Sequence, residues 1–139
     1  MAHDAQHKLF RLGIPTVAYE DHLMRRMSAA AANEGTTVLL FSFTGRTHSM
    51  IEVARIAKES KASLIAITSP NAPLAAVSDI TITSGDELED TTVYLPMTTR
   101  IIILTIIDIL VTGLALARGP EIDVRLKKIK HSLDATKVN

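Results

Sequence analysis

The chain has no cysteine among its 139 residues. Disulfides, thiol nucleophiles and cysteine-rich zinc sites are thereby excluded, which suits a reducing compartment such as the cytoplasm. Net charge is absent too. Fifteen Lys and Arg balance fifteen Asp and Glu, so no overall field draws the protein to nucleic acid or to an anionic membrane. DNA binding by this chain alone is not expected. The common nucleotide loops are missing: neither Gly-x-x-x-x-Gly-Lys-Ser/Thr nor Gly-x-Gly-x-x-Gly occurs, so neither a nucleoside triphosphatase nor a dinucleotide binder is indicated. His3, His7, His22 and His131 have no carboxylate or histidine at a spacing that makes a convincing metal set. No metal and no cofactor are expected. The first residues lack the apolar core of a signal peptide, and there is no internal repeat or low-complexity linker.

What the chain does contain is a buried-strand pattern that breaks into a hydroxyl-and-glycine turn and then opens a helix. Val38 to Phe41 can bury both faces as a parallel strand, and Met50, Ile51, Val53, Ala54, Ile56 and Ala57 recur at helical spacing downstream. Between them lies Ser42-Phe43-Thr44-Gly45-Arg46-Thr47. A turn at a helix N-terminus has unpaired backbone N–H groups and the positive end of the helix dipole, both of which favour an anion. Ser42, Thr44 and Thr47 add hydroxyl donors, and Gly45 lets the backbone approach closely. An ordinary strand-to-helix connection accounts for the same residues, with Thr44 or Thr47 as an N-cap and Gly45 serving turn geometry.

Periodicity and breakers place the other elements. A helix from the first residue ends at Gly13, Ile14 to Tyr19 reads as a short strand, and Asp21 caps a helix over about 22–33. Strands are expected at 38–43, 63–68 and 80–83, with a helix over 47–60. One helical turn follows the proline-bounded segment 69–74. A long helix over about 92–118 and an amphipathic helix over about 121–135 complete the chain. The fold class is α/β, a three-layer α-β-α sandwich with a parallel sheet, in which ligands sit at the carboxyl ends of strands. The apolar run Ile101 to Leu116 contains Asp108 and is flanked by Arg100 and Arg118, so it is expected to be a helix covered by a core or an oligomer interface, not a membrane span.

Five ordered pieces resemble the SIS (sugar isomerase) domain: Phe41-Ser42-Phe43-Thr44-Gly45-Arg46-Thr47, Ala57-Lys58, Ile65-Ala66-Ile67-Thr68, Pro73-Leu74-Ala75 and Asp79. Met97-Thr98-Thr99-Arg100 with Ile106 to Leu110 resembles the sugar-sensing domain of RpiR-family transcription regulators. The resemblance implies a flavodoxin-like fold over residues 1–139 and a phosphate held by the hydroxyls of Ser42, Thr44 and Thr47 at the turn of Gly45. It also implies a phosphorylated sugar or sugar acid as ligand, such as 2-keto-3-deoxy-6-phosphogluconate, and a sensing role without catalysis. Such regulators carry an N-terminal helix-turn-helix domain, and the SIS domain an earlier strand ending in a Gly-x-Gly-Ser-type loop. This sequence shows neither, so an N-terminally incomplete domain is expected, with DNA reached only through a helix-turn-helix domain outside it.

Arg46 is an electrostatic complement to the anion, and Glu87, Thr98, Thr99 and Arg100 are expected at its sugar end. Each has a plainer reading: a surface arginine, a solvated acidic loop with Glu89 and Asp90, a helix cap, an interface ion pair. His48 is the one histidine beside the turn able to serve an isomerase as acid or base, and a solvent-facing position is expected for it. Lys127, Lys128, Lys130 and His131 form a basic strip that reads as a solvated face. The rivals to a sensor are an aldose-ketose phosphosugar isomerase and a dimerisation module without ligand. A homodimer in the cytoplasm is expected.

Overall fold

The computed structural model describes residues 1–85 and 97–137. The elements run α1 (Ala2–Arg11), α2 (His22–Ala30), β1 (Thr37–Phe41), α3 (His48–Glu59), β2 (Ser63–Thr68), α4 (Pro73–Val77), β3 (Ile80–Thr83), α5 (Thr98–Arg118) and α6 (Glu121–Asp134). The chain divides into two compact units, one of Tyr19–Ile103 and one of Met1–Ala18 with Leu104–Asn139.

The first unit is built on a three-stranded sheet in the order β1-β2-β3, parallel throughout. Leu40 of β1 lies opposite Ala66 of β2, and Ile67 lies opposite Ile82 of β3. Because side chains alternate along a strand, Val38, Leu40, Leu64 and Ala66 share one face. They pack with Val53, Ala54 and Ala57 of α3, Ala29 of α2 and Leu74 of α4 in one hydrophobic cluster. Half of the buried residues in this cluster are alanines, whose small side chains permit close packing of helix on sheet. The crossovers between the parallel strands bring the carboxyl ends of β1 and β2 side by side, where the connection to α3 begins.

Asp21 caps α2 as expected, its carboxylate accepting from the Met24 N–H at 2.9 Å. The helix stops at Ala30, three residues short of the expected end, because Asn33 folds the next residues into a turn: its side chain accepts from the Gly35 N–H and its carbonyl from the Thr36 N–H. Below the sheet cluster, Asp79 ties β2 to the start of β3, accepting from the Leu64 N–H at 2.7 Å and pairing with Lys58.

In the second unit, α1 ends in a Schellman turn. The Ile14 N–H reaches the Leu9 carbonyl and the Gly13 N–H the Phe10 carbonyl, with Gly13 at φ +75°. Arg125 of α6 donates to the carbonyls of Phe10 and Arg11, and Arg118 of α5 to that of Leu12. Two guanidinium groups thus sit at the negative end of the helix dipole. The segment Ile14 to Tyr19 forms no strand, contrary to expectation. Pro15 has no N–H to give to a ladder, the Thr16 hydroxyl bonds the Ile14 carbonyl, and the Ala18 N–H bonds the Gln6 side chain at 2.8 Å.

Within the apolar helix, Asp108 is exposed and pairs with Lys8. The expected cover is present on one side of α5. Thr99, Ile103 and Ile107 form its buried stripe, four residues apart, while Ile101, Ile109 and Leu116 are 64%, 65% and 79% exposed. Length and composition alone would let α5 cross a membrane.

Candidate functional site

The connection Ser42–Thr47 sits at the carboxyl end of β1 and is bolted to the neighbouring strand's end. The Ser42 N–H donates to the Ile67 carbonyl at 3.1 Å. The Phe43 carbonyl accepts from both the N–H and the hydroxyl of Ser69, at 3.2 and 2.7 Å. The Gly45 carbonyl accepts from the Leu74 N–H at 3.1 Å. These bonds occupy two loop carbonyls, those of Phe43 and Gly45, and one loop donor, the Ser42 N–H.

Gly45 is buried and held at φ +60°. A Cβ there would lie 2.5 Å from Ala72 Cβ and 2.5 Å from Thr68 Oγ1. Both conformation and space therefore require glycine. Its N–H donates to Ser42 Oγ at 3.1 Å. Since that oxygen is already accepting, the Ser42 hydroxyl proton is directed elsewhere. Thr44 Oγ1 accepts from the Arg46 N–H at 3.3 Å, which tightens the turn in the same way.

Thr47 occupies the N-cap position of α3, yet its side chain makes no capping bond. The first α3 amides to find acceptors are Met50 and Ile51, both on the Thr47 carbonyl. The N–H groups of Thr47, His48 and Ser49 have no backbone acceptor among the described residues. A capping threonine would have accepted from one of them. Instead Thr47 is exposed with its hydroxyl uncommitted beside three free amides at the positive end of a 12-residue helix. The plain reading of Thr47 as a capping side chain is not what the structure contains.

Arg46 and His48 are exposed on either side of Thr47. Glu52, in the second turn of α3, is paired with Arg26, whose guanidinium holds its carboxyl below the usual carboxylate range; His22 and His48 add to the effect. Local negative charge that would oppose an anion is thereby offset. What this helix end offers chemically is a set of uncommitted N–H and hydroxyl donors at the positive end of the α3 dipole, which favours an anion.

Thr98, Thr99 and Arg100 form the first turn of α5, with Thr99 buried and the other two exposed. Glu87, Glu89 and Asp90 lie outside the described residues. Two hydroxyls escaped the sequence reading. Ser69 anchors Phe43, and Thr68 is fully buried against Gly45. Their signal was position: both stand at the carboxyl end of the strand beside the loop-bearing one.

The profile of the SIS domain family matches residues 1–113. The chain is 43% identical over 133 residues to the HTH-type transcriptional regulator HexR of Escherichia coli, covering 96% of this chain and 46% of that protein. It thus spans about half the length of that relative. Among solved structures it superimposes on the Vibrio vulnificus NanR protein complexed with ManNAc-6P with a TM-score of 0.87, at 21% identity, covering 99% of this chain and 52% of that one. It also superimposes on the sugar isomerase domain of an RpiR transcription factor from Sphaerobacter thermophilus, with a TM-score of 0.75 at 17% identity, covering 94% and 71% of the two chains. Those likenesses share the α/β fold with its parallel sheet. The strand, glycine turn and uncapped helix described above, with the profile match over most of the sequence, identify this chain as a member of the SIS domain family.

Proposed function

We propose that this chain is the phosphosugar-sensing domain of a transcriptional regulator of sugar catabolism, acting in the cytoplasm as a homodimer and catalysing no reaction. The observation that carries it is the start of α3, where the Thr47 hydroxyl and the amides of Thr47, His48 and Ser49 are uncommitted. In this reading the phosphate rests on those amides and on the hydroxyls of Ser42, Thr44 and Thr47. Arg46 supplies the countercharge, and Gly45 sets the close approach. Thr98, Thr99, Arg100 and Glu87 would meet the sugar. Likeness to HexR and to a NanR protein solved with ManNAc-6P supports a sugar phosphate as ligand; 2-keto-3-deoxy-6-phosphogluconate is the specific proposal. Binding would favour one of two domain states, and DNA would respond through a helix-turn-helix domain outside this chain.

Calorimetry against 2-keto-3-deoxy-6-phosphogluconate, N-acetylmannosamine 6-phosphate, glucose 6-phosphate and their unphosphorylated counterparts tests this. Binding confined to phosphorylated compounds is expected, with the keto-deoxy acid tightest. Solvent-proton exchange beside the sugar carbonyl would instead reveal an isomerase.

A further inference from the structure

Thr68 closes β2 at its carboxyl end, and its side chain is completely buried. The polar groups around it are paired: the Thr68 carbonyl accepts from the Ser84 N–H at 3.0 Å, the Ser42 N–H reaches Ile67, Ser69 holds Phe43, and Leu74 holds Gly45. Thr68 Oγ1 alone in this shell has no hydrogen-bond partner among the described residues. It abuts Gly45 so closely that a Cβ there would come within 2.5 Å of it. A buried hydroxyl without a partner is destabilising, and valine offers the same shape without that burden. The threonine is therefore unexplained by the stability of this arrangement. Gly45, the group it touches, is also the residue at which the loop turns, at φ +60°. Its N–H bonds Ser42, and its neighbours on the α3 side carry the uncommitted donors.

We propose that Thr68 is a positioning residue for the anion cradle, its buried hydroxyl reserved for the anion-bound form of the Ser42–Thr47 loop. The inference rests on the reading of that loop as a phosphate site. A small shift of the loop toward a bound anion reorients the groups around Gly45, which abuts Thr68, and gives its hydroxyl an acceptor. The loop's affinity then includes a bond made only when the anion is held, so Thr68 acts through the loop without touching the ligand.

The test compares the parent chain with Thr68→Val, Thr68→Ser and Ser42→Ala, using inorganic phosphate and glucose 6-phosphate as probes. In phosphate-free buffer Thr68→Val should melt a few degrees above the parent. It should nevertheless bind both probes about tenfold more weakly, and Thr68→Ser should restore the affinity. Parent affinity in Thr68→Val, a lower melting temperature for it, or failure of serine to restore binding would each overturn the proposal. If Ser42→Ala weakens binding while Thr68→Val does not, only the role of Thr68 falls. If neither variant changes affinity, or the parent binds neither probe, the loop is not a phosphate site and both readings fall.

Discussion

Gly45 shows most sharply how a single residue constrains the site. Its positive φ and the two atoms that would stand 2.5 Å from any added Cβ act together, so relaxing one does not relieve the other. Gly45→Ala should cost about 2 kcal/mol or more, combining left-handed strain with overpacking. A lowered denaturation midpoint with an unchanged denaturant slope is the expected result. The residue-level signal was visible in the sequence as a glycine between hydroxyls after an apolar strand. The sequence did not reveal which way those hydroxyls would be spent: Ser42 and Thr44 accept from backbone N–H groups within the turn, whereas Thr47 caps nothing. That distinction depends on side-chain rotation, which the order of residue types leaves open.

At the scale of elements, the bond between β2 and β3 has an electrostatic pin. The Lys58 ammonium beside Asp79, followed by the Leu64 N–H, holds its carboxyl below the usual carboxylate range. A carboxylate whose folded pKa is depressed contributes stability above its unfolded pKa and loses that contribution as pH falls through the folded value. Acidification from about pH 5 downward should therefore lower the melting temperature of the parent more than that of Asp79→Asn, the two curves converging at the acid end. Parallel curves would show that the pin is energetically silent. Elements with strong local signals were legible: β2 and β3 fall at the expected residues, and α3 and α6 within a residue or so of them. Ile14 to Tyr19 was misread because its apolar character said nothing of a pairing partner, and its backbone turns to side chains instead. The end of α3 carried no glycine to mark it; Lys61 takes the left-handed position at φ 63°.

For the whole molecule, the exposed apolar face of α5 is a feature that the chain's own packing leaves unexplained. Apolar composition predicted that the helix must be covered, but periodicity could not say by which partner or on which side. Ile103 is buried at 1% exposure. Ile109 and Leu116 face outward. If the proposed homodimer forms through this face, Ile109→Glu with Leu116→Glu should shift light scattering toward monomer while leaving the far-ultraviolet circular dichroism intact, because neither side chain supports the fold from within. Ile103→Glu should instead unfold the chain. A double variant that keeps the parent's mass would move the interface elsewhere.

The central claim is that a phosphosugar is held at the N-terminus of α3. Isothermal titration of the ligand selected by the sugar panel into the parent, Ser42→Ala and Thr47→Val proteins tests it most directly. Each lost hydroxyl donor to a charged oxygen should cost about 1.5 to 3 kcal/mol, roughly tenfold or more in Kd, with melting temperatures in phosphate-free buffer little changed for Thr47→Val. Affinities equal to the parent's in both variants would contradict the account.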